Sequence, residues 1–220
     1  MRLALVSFAL CTLASAAQKM EITLERRDGA AWKAIDPATI LAQGAQVRFK
    51  FRSSFSGYLY VTNQGTSGDY TQLFPSEDAG QQNRVEAGKE YLIPSGAGSA
   101  FAVKGPAGQD IVYWMVSPQP LTESPRKYTP IAPAPAPGSY METLRPRCDD
   151  TILKARGDCV DATAGPKAMK RSAQMPEALD EAAGMRSREL IIIKEKNKAV
   201  VSTATALTGP VIYEFRLSHK

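Results

Sequence analysis

Between residues 18 and 117, apolar and polar side chains alternate in short runs broken by Gly, Pro, Asn and Asp. Successive strand side chains point to opposite faces, so the alternation predicts half-buried β-strands, and this many at this spacing predict a sandwich or barrel. Residues 21–25 (EITLE) form the first such run, Arg27-Asp28-Gly29 a hairpin turn, and residues 31–35 the return strand. The clearest strand is 47–52, where Val47, Phe49 and Phe51 point one way and Arg48, Lys50 and Arg52 the other. Those three cations are expected on a solvated sheet face. Further strands are predicted at 57–62, at 70–74 (stopped by Pro75), at 90–93 (stopped by Pro94) and at 100–103. Residues 105–108 (GPAG) are expected to be a hairpin turn. Residues 111–116 (IVYWMV) are apolar on both faces, which predicts a central strand.

Beyond Ser117 the pattern changes. Pro118, Pro120, Pro125, Pro130, Pro133, Pro135 and Pro137 rule out a central strand and favour an extended spacer. From 140 to 188 the chain is polar and irregular, with short helical turns expected at 150–156 and 176–183, ending at Gly157 and Gly184. Strand character returns at 190–193, 199–202 and 211–217. Two or three strands cannot bury a core alone, so they are expected to complete the first sheet system. The predicted fold is all-β, an antiparallel, immunoglobulin-like β-sandwich (18–117 and 188–220) interrupted by a Pro-rich, partly helical insertion (118–187). A second small domain at 140–220 is the rival division.

The N-terminus changes the compartment. Met1-Arg2, an eleven-residue apolar core from Leu3 to Leu13, and the small residues Ala14-Ser15-Ala16-Ala17 have the three-part form of a secretory signal peptide. The core is too short to span a bilayer, and no later stretch is long enough, so no transmembrane segment is expected after cleavage. Bulky Leu10 before Cys11 argues against a lipoprotein site. Residues 1–17 are thus expected to be removed and the chain exported, to the periplasm or the exterior. Cys148 and Cys159 then remain, an even number in an oxidising compartment, and are expected to pair.

Composition removes several chemistries. The only histidine, His219, is penultimate, a position that usually frays, so multi-histidine metal sites are excluded and no metal or other cofactor is expected. Residues 18–117 hold ten basic and ten acidic side chains, and 118–220 hold sixteen and twelve. That mild excess, including Lys167, Lys170 and Arg171, is expected to be solvated surface, and no nucleic acid is expected as a partner. There is no G-x-S-x-G elbow. Ser124-Pro125-Arg126-Lys127 has S-x-x-K spacing, but the proline opposes the helix that spacing needs. Residues 105–110 lack the Gly-Lys-Ser/Thr of a phosphate loop, the adjacent acids at 149–150 and 180–181 do not give the facing carboxylates a glycosidase needs, and no calcium-loop string is present. No catalytic residue is identified, and the chain is expected not to be an enzyme.

The aromatic residues offer a surface instead. If Leu59 and Val61 face the core, Tyr58 and Tyr60 share the other face with Tyr70 or Phe74, a strip able to stack sugars or anchor a peptide. The competing and preferred expectation is that the 118–187 insertion covers this face.

The order of motifs is itself informative. FKFRS at 49–53, GYLYV at 57–61, GDY at 68–70 leading to LFP at 73–75, NRV at 83–85, AGK at 87–89, IP at 93–94, FAV at 101–103, GPAG at 105–108 and the strand 111–117 occur in sequence. This resembles a bacterial extracytoplasmic family catalogued as a domain of unknown function, whose members occur alone behind signal peptides or appended to protein kinases and caspase-like peptidases. The GPVIYEF ending at 209–215 resembles its closing strand. The resemblance implies a β-sandwich accessory module without an established catalytic site, and it supplies no functional residues. The expected role is an exported, non-catalytic binding or interaction module of the cell envelope, with an envelope protein or glycan as partner. The alternatives are a hydrolase with an unfamiliar site, acting on peptide or glycan, and a structural component of a surface assembly.

Overall fold

The computed structural model describes residues 17–121, 159–168 and 190–220, apart from 78, 97, 196 and 204–208. The expected helical turns, Cys148, the signal segment 1–16 and most of the 118–187 insertion lie outside the described residues.

The described residues are all-β. In chain order the strands are β1 (Lys19–Asp28), β2 (Ala31–Ile35), β3 (Gln46–Ser53), β4 (Gly57–Gln64), β5 (Tyr70–Phe74), β6 (Arg84–Val85) and β7 (Glu90–Ile93). There follow β8 (Phe101–Ala102), β9 (Gly108–Ser117), β10 (Gly165–Lys167), β11 (Leu190–Glu195), β12 (Lys198–Thr203) and β13 (Val211–His219). They build two antiparallel sheets. The first runs β11-β12-β1-β3-β7, with β2 on β1 and β8 on β3; the second runs β10-β13-β9-β4-β5, with β6 on β4. Gly29, at φ 60°, turns the β1–β2 hairpin where the sequence places it, a conformation that favours residues without a Cβ.

The inner faces meet in one core. Val47, Phe49 and Phe51 of β3 are buried, as their alternation requires, opposite Trp114 of β9 and Phe215 of β13. Trp114 joins the sheets: its ring meets Phe49 edge-on at 5.1 Å and stacks on Phe51 at 5.7 Å. Such pairs contribute ~1 kcal/mol each beyond area burial. β9 lies between β13 and β4, the central position predicted by its two apolar faces. β11 and β12 extend the first sheet from β1, and β13 pairs with β9 along nine residues.

Four local expectations are corrected. Residues 105–108 are not a hairpin turn, because β8 pairs with β3 in the first sheet while β9 belongs to the second; the segment crosses between sheets. Two neighbouring apolar runs look alike in sequence whether they pair with each other or separate. His219 does not fray: it is 1% exposed at the end of β13. Leu41 N–H donates to the Ser218 carbonyl (2.8 Å) and Lys220 N–H to the Leu41 carbonyl (3.0 Å), so the 36–45 connection holds the C-terminus.

Residues 159–168 are not part of an irregular excursion either. β10 pairs with β13, while Ile40 N–H donates to the Cys159 carbonyl (2.6 Å) and Asp161 N–H to that of Ala38 (2.7 Å). Pro166 is tolerated because β10 is an edge strand. Finally, Arg48 and Lys50 are not simply solvated. Arg48 sits opposite Glu25 and donates to its carboxylate at 2.6 Å, Lys50 approaches the same group at 3.3 Å, and Arg48 lies over the Trp32 ring.

Candidate ligand-binding face

The outward face of the second sheet carries the predicted tyrosines. Across β4 and β9, Tyr58 stands opposite Ser117, Tyr60 opposite Met115, Thr62 opposite Tyr113 and Gln64 opposite Ile111. Across β9 and β13, Met115 faces Ile212 and Tyr113 faces Glu214. Tyr113, Met115 and Ile212 form a buried cluster on this face, with Tyr60, Tyr70, Ile111 and Leu121 packed against it. Tyr58, Tyr60 and Tyr70 are half-buried rather than sealed. Residues 118–121, the start of the expected insertion, come over this face: the Leu121 N–H donates to the Tyr60 hydroxyl at 2.8 Å.

Phe74 does not join them. It is buried in the core between the sheets. The cause is an irregularity in the β4–β5 register: Val61 pairs with Phe74, but Thr62 pairs with Gln72, so Leu73 is passed over. A bulged residue reverses the alternation beyond it. Tyr70, opposite Gln64, stays outward, while Phe74, opposite core-facing Val61, turns in.

The face is uncharged at its centre. Burial raises the pKa of Tyr70. Burial, reinforced by the neighbouring Tyr70 and Glu214, pushes that of Tyr113 further up. Both hydroxyls are therefore neutral and enclosed: that of Tyr113 donates to Gln64 Oε1 at 2.8 Å, and that of Tyr70 is shielded from solvent, so the face offers ring surface more than these two hydroxyls. The Tyr70 and Tyr113 rings stack at 6.3 Å, which fixes Tyr70 against the sheet. Toward the β10 edge the buried Glu214 is held by Arg216, whose Nη2 reaches Oε1 at 2.7 Å. Stacked rings beside amide side chains suit a sugar or an extended peptide, which bring flat apolar surface and neutral hydrogen-bonding groups.

A polar cluster that sequence spacing did not reveal lies at one end of the same sheet. Asp161 accepts from the Ser218 hydroxyl (2.6 Å), from Gln109 Nε2 (2.7 Å) and from the amide and hydroxyl of Thr163 (both 2.8 Å). Burial works to raise its pKa, but these hydrogen bonds outweigh it and hold the carboxyl below its ordinary value. On the core side, His219 Nε2 lies 3.1 Å from Thr66 Oγ1 and 3.2 Å from Asp110 Oδ1. A histidine, a hydroxyl and a carboxylate invite comparison with a catalytic relay. A relay divides the imidazole, one nitrogen to the nucleophile and the other to the acid. Here one nitrogen meets both partners in a buried site, and Asp110 Oδ1 also accepts the Thr66 N–H at 2.9 Å. The group fastens β13 and β9 to the β4–β5 turn.

No group of three or more His, Cys, Asp or Glu suited to a metal occurs among the described residues. No helix among them is long and apolar enough to cross a membrane. Cys159 is buried and disulfide-bonded.

Residues 40–120 match the model of a family described as a domain of unknown function, DUF4384. The match takes in β3 to β9 and so includes strands of both sheets, but it stops before β13, which fills the place beside β9. No curated protein and no solved structure matches the chain.

Proposed function

We propose that this chain is an exported, non-catalytic binding module of the bacterial cell envelope, and that its ligand, an envelope protein or glycan, engages Tyr58, Tyr60 and Tyr70. The carrying observation is the half-buried set of rings on one sheet face, of which Tyr60 and Tyr70 are backed by the closed Tyr113–Met115–Ile212 cluster. Rings already fixed by packing lose little entropy when a ligand stacks on them. Export rests on the signal-type N-terminus, and it favours an oxidised Cys148–Cys159 pair. The non-catalytic reading is supported by the geometry of His219, which joins its partners through a single nitrogen.

The test is binding of the mature protein to glycan and peptide arrays prepared from envelope material, followed by titration of each hit. Replacing Tyr58 or Tyr70 by Ala is expected to weaken a true ligand by about tenfold or more, the scale of a buried aromatic contact. Saturable binding that neither substitution alters would remove the tyrosine face from the proposal. Turnover of an array component would replace the binding reading with an enzymatic one.

A further inference from the structure

We propose that β11 is a self-association edge, through which two copies of this chain pair antiparallel and join their first sheets. β11 ends that sheet, and β12 is its only strand partner among the described residues. An edge strand presents unpaired N–H and C=O groups, which proteins ordinarily blunt with proline, charge or shortness. The other edges here are blunted. β10 has three residues with Pro166 among them, β6 and β8 have two each, β7 has four and is followed by Pro94, β2 carries the exposed charge of Lys33, and β5 exposes Thr71 and Gln72 before Pro75. β11 opens instead with Leu190-Ile191-Ile192-Ile193. Its Leu190 and Ile192 pack on the core, while Ile191 and Ile193 point outward, 52% and 51% exposed. Among the described residues only Val160 is a comparably exposed large hydrophobic.

Symmetry selects the occupant and the register. A two-fold axis normal to the sheet keeps outward faces outward, so Ile191 and Ile193 can oppose only outward residues of the other strand. With Ile192 on the axis, Ile191 of each copy stands opposite Ile193 of the other, so all four exposed side chains become cross-strand neighbours at once. Moving the register by one allowed step toward the C-terminus would set Ile191 against Glu195. The edge is therefore self-complementary in one register. Its extent also limits its strength: a six-residue edge with two half-exposed side chains falls well short of the ~1,200–2,000 Å² of a stable interface. The pairing is accordingly weak, at a dissociation constant of about 0.1–1 mM, and operates where copies are crowded.

Sedimentation velocity on the mature chain, from about 10 µM to 1 mM, tests the proposal against Ile191→Lys and Ile193→Lys, with circular dichroism and melting to check the fold. Both positions are half exposed, so the parent fold is expected to persist. The expected result is a concentration-dependent dimer in the parent that each lysine weakens by at least about tenfold, since like charges would face apolar partners across the edge. A parent that stays monomeric to 1 mM, or a dimer indifferent to both lysines, overturns it. Neither outcome bears on the tyrosine face, which belongs to the other sheet.

Discussion

Glu25 offers a sharp test of how the first sheet is held. It projects from β1 on the sheet's outward face, yet its side chain is only 7% exposed, and Arg48, directly opposite on β3, is 15% exposed. Two charges about 4 Å apart attract by roughly 4 kcal/mol at an effective dielectric near 20. Desolvation of both groups offsets most of that, so the intact pair contributes little net. Removing one partner is different. Glu25→Ala leaves the Arg48 guanidinium without its carboxylate and beside Lys50, at a cost of ~3–5 kcal/mol for a fully buried pair. Arg48 keeps some solvent and the face of Trp32, 4.3 Å away, which places the expected loss near the lower bound, at about 3 kcal/mol. For a chain of this size that is a fall of ~6–12 °C in melting temperature. The assay is thermal and urea unfolding of Glu25→Ala, Arg48→Met and the double variant. The double variant is expected to be more stable than the summed single losses predict, by at least about 1 kcal/mol, because it leaves no orphaned charge. A Glu25→Ala loss under about 1 kcal/mol, or strict additivity, would refute the reasoning.

Two further predictions concern the second sheet. A Cβ built on Gly57 would lie 2.7 Å from the Ser117 carbonyl oxygen and 2.9 Å from Val116 Cγ1, so Gly57→Ala must push β4 from β9. It is expected to cost about 1–3 kcal/mol, read as a lower urea midpoint with unchanged slope. Asp161 has a lowered folded pKa, so its stabilisation is full above the unfolded value near 3.8 and is lost as pH falls through the folded value. Asp161→Asn is therefore expected to lower stability at neutral pH, by a gap to the parent that narrows as acid protonates the parent's carboxyl; a gap that does not narrow at all between neutral pH and the parent's acid unfolding would refute the assignment.

Strand identity was legible where local alternation agreed with burial, as in β3, whose Val47, Phe49 and Phe51 could only turn inward together, and in β9, whose doubly apolar pattern marked a central place. The failures share a different physical origin. Phe74 and Tyr70 have the same parity, and a period-two reading puts them on one face; the register shift at Val61/Thr62 separates them, and nothing in YTQLF announces it. The polar cluster was hidden for a related reason. Asp110 and His219 are 109 residues apart and meet only because β9 and β13 pair with Gly108 opposite His219, while Thr66 is brought in by the β4–β5 turn. Chain-end position suggested fraying, but the fate of a terminus depends on which backbone groups await it, and here the Leu41 amide and carbonyl flank β13. The candidate face lies between these cases. Tyr58 and Tyr60 follow from alternation alone, whereas the backing of Tyr60 by Met115 and Ile212 depends on strands distant in sequence. Local pattern thus determines which residues can present a surface. Long-range register determines whether that surface is braced, and bracing distinguishes a rigid binding face from scattered exposed rings.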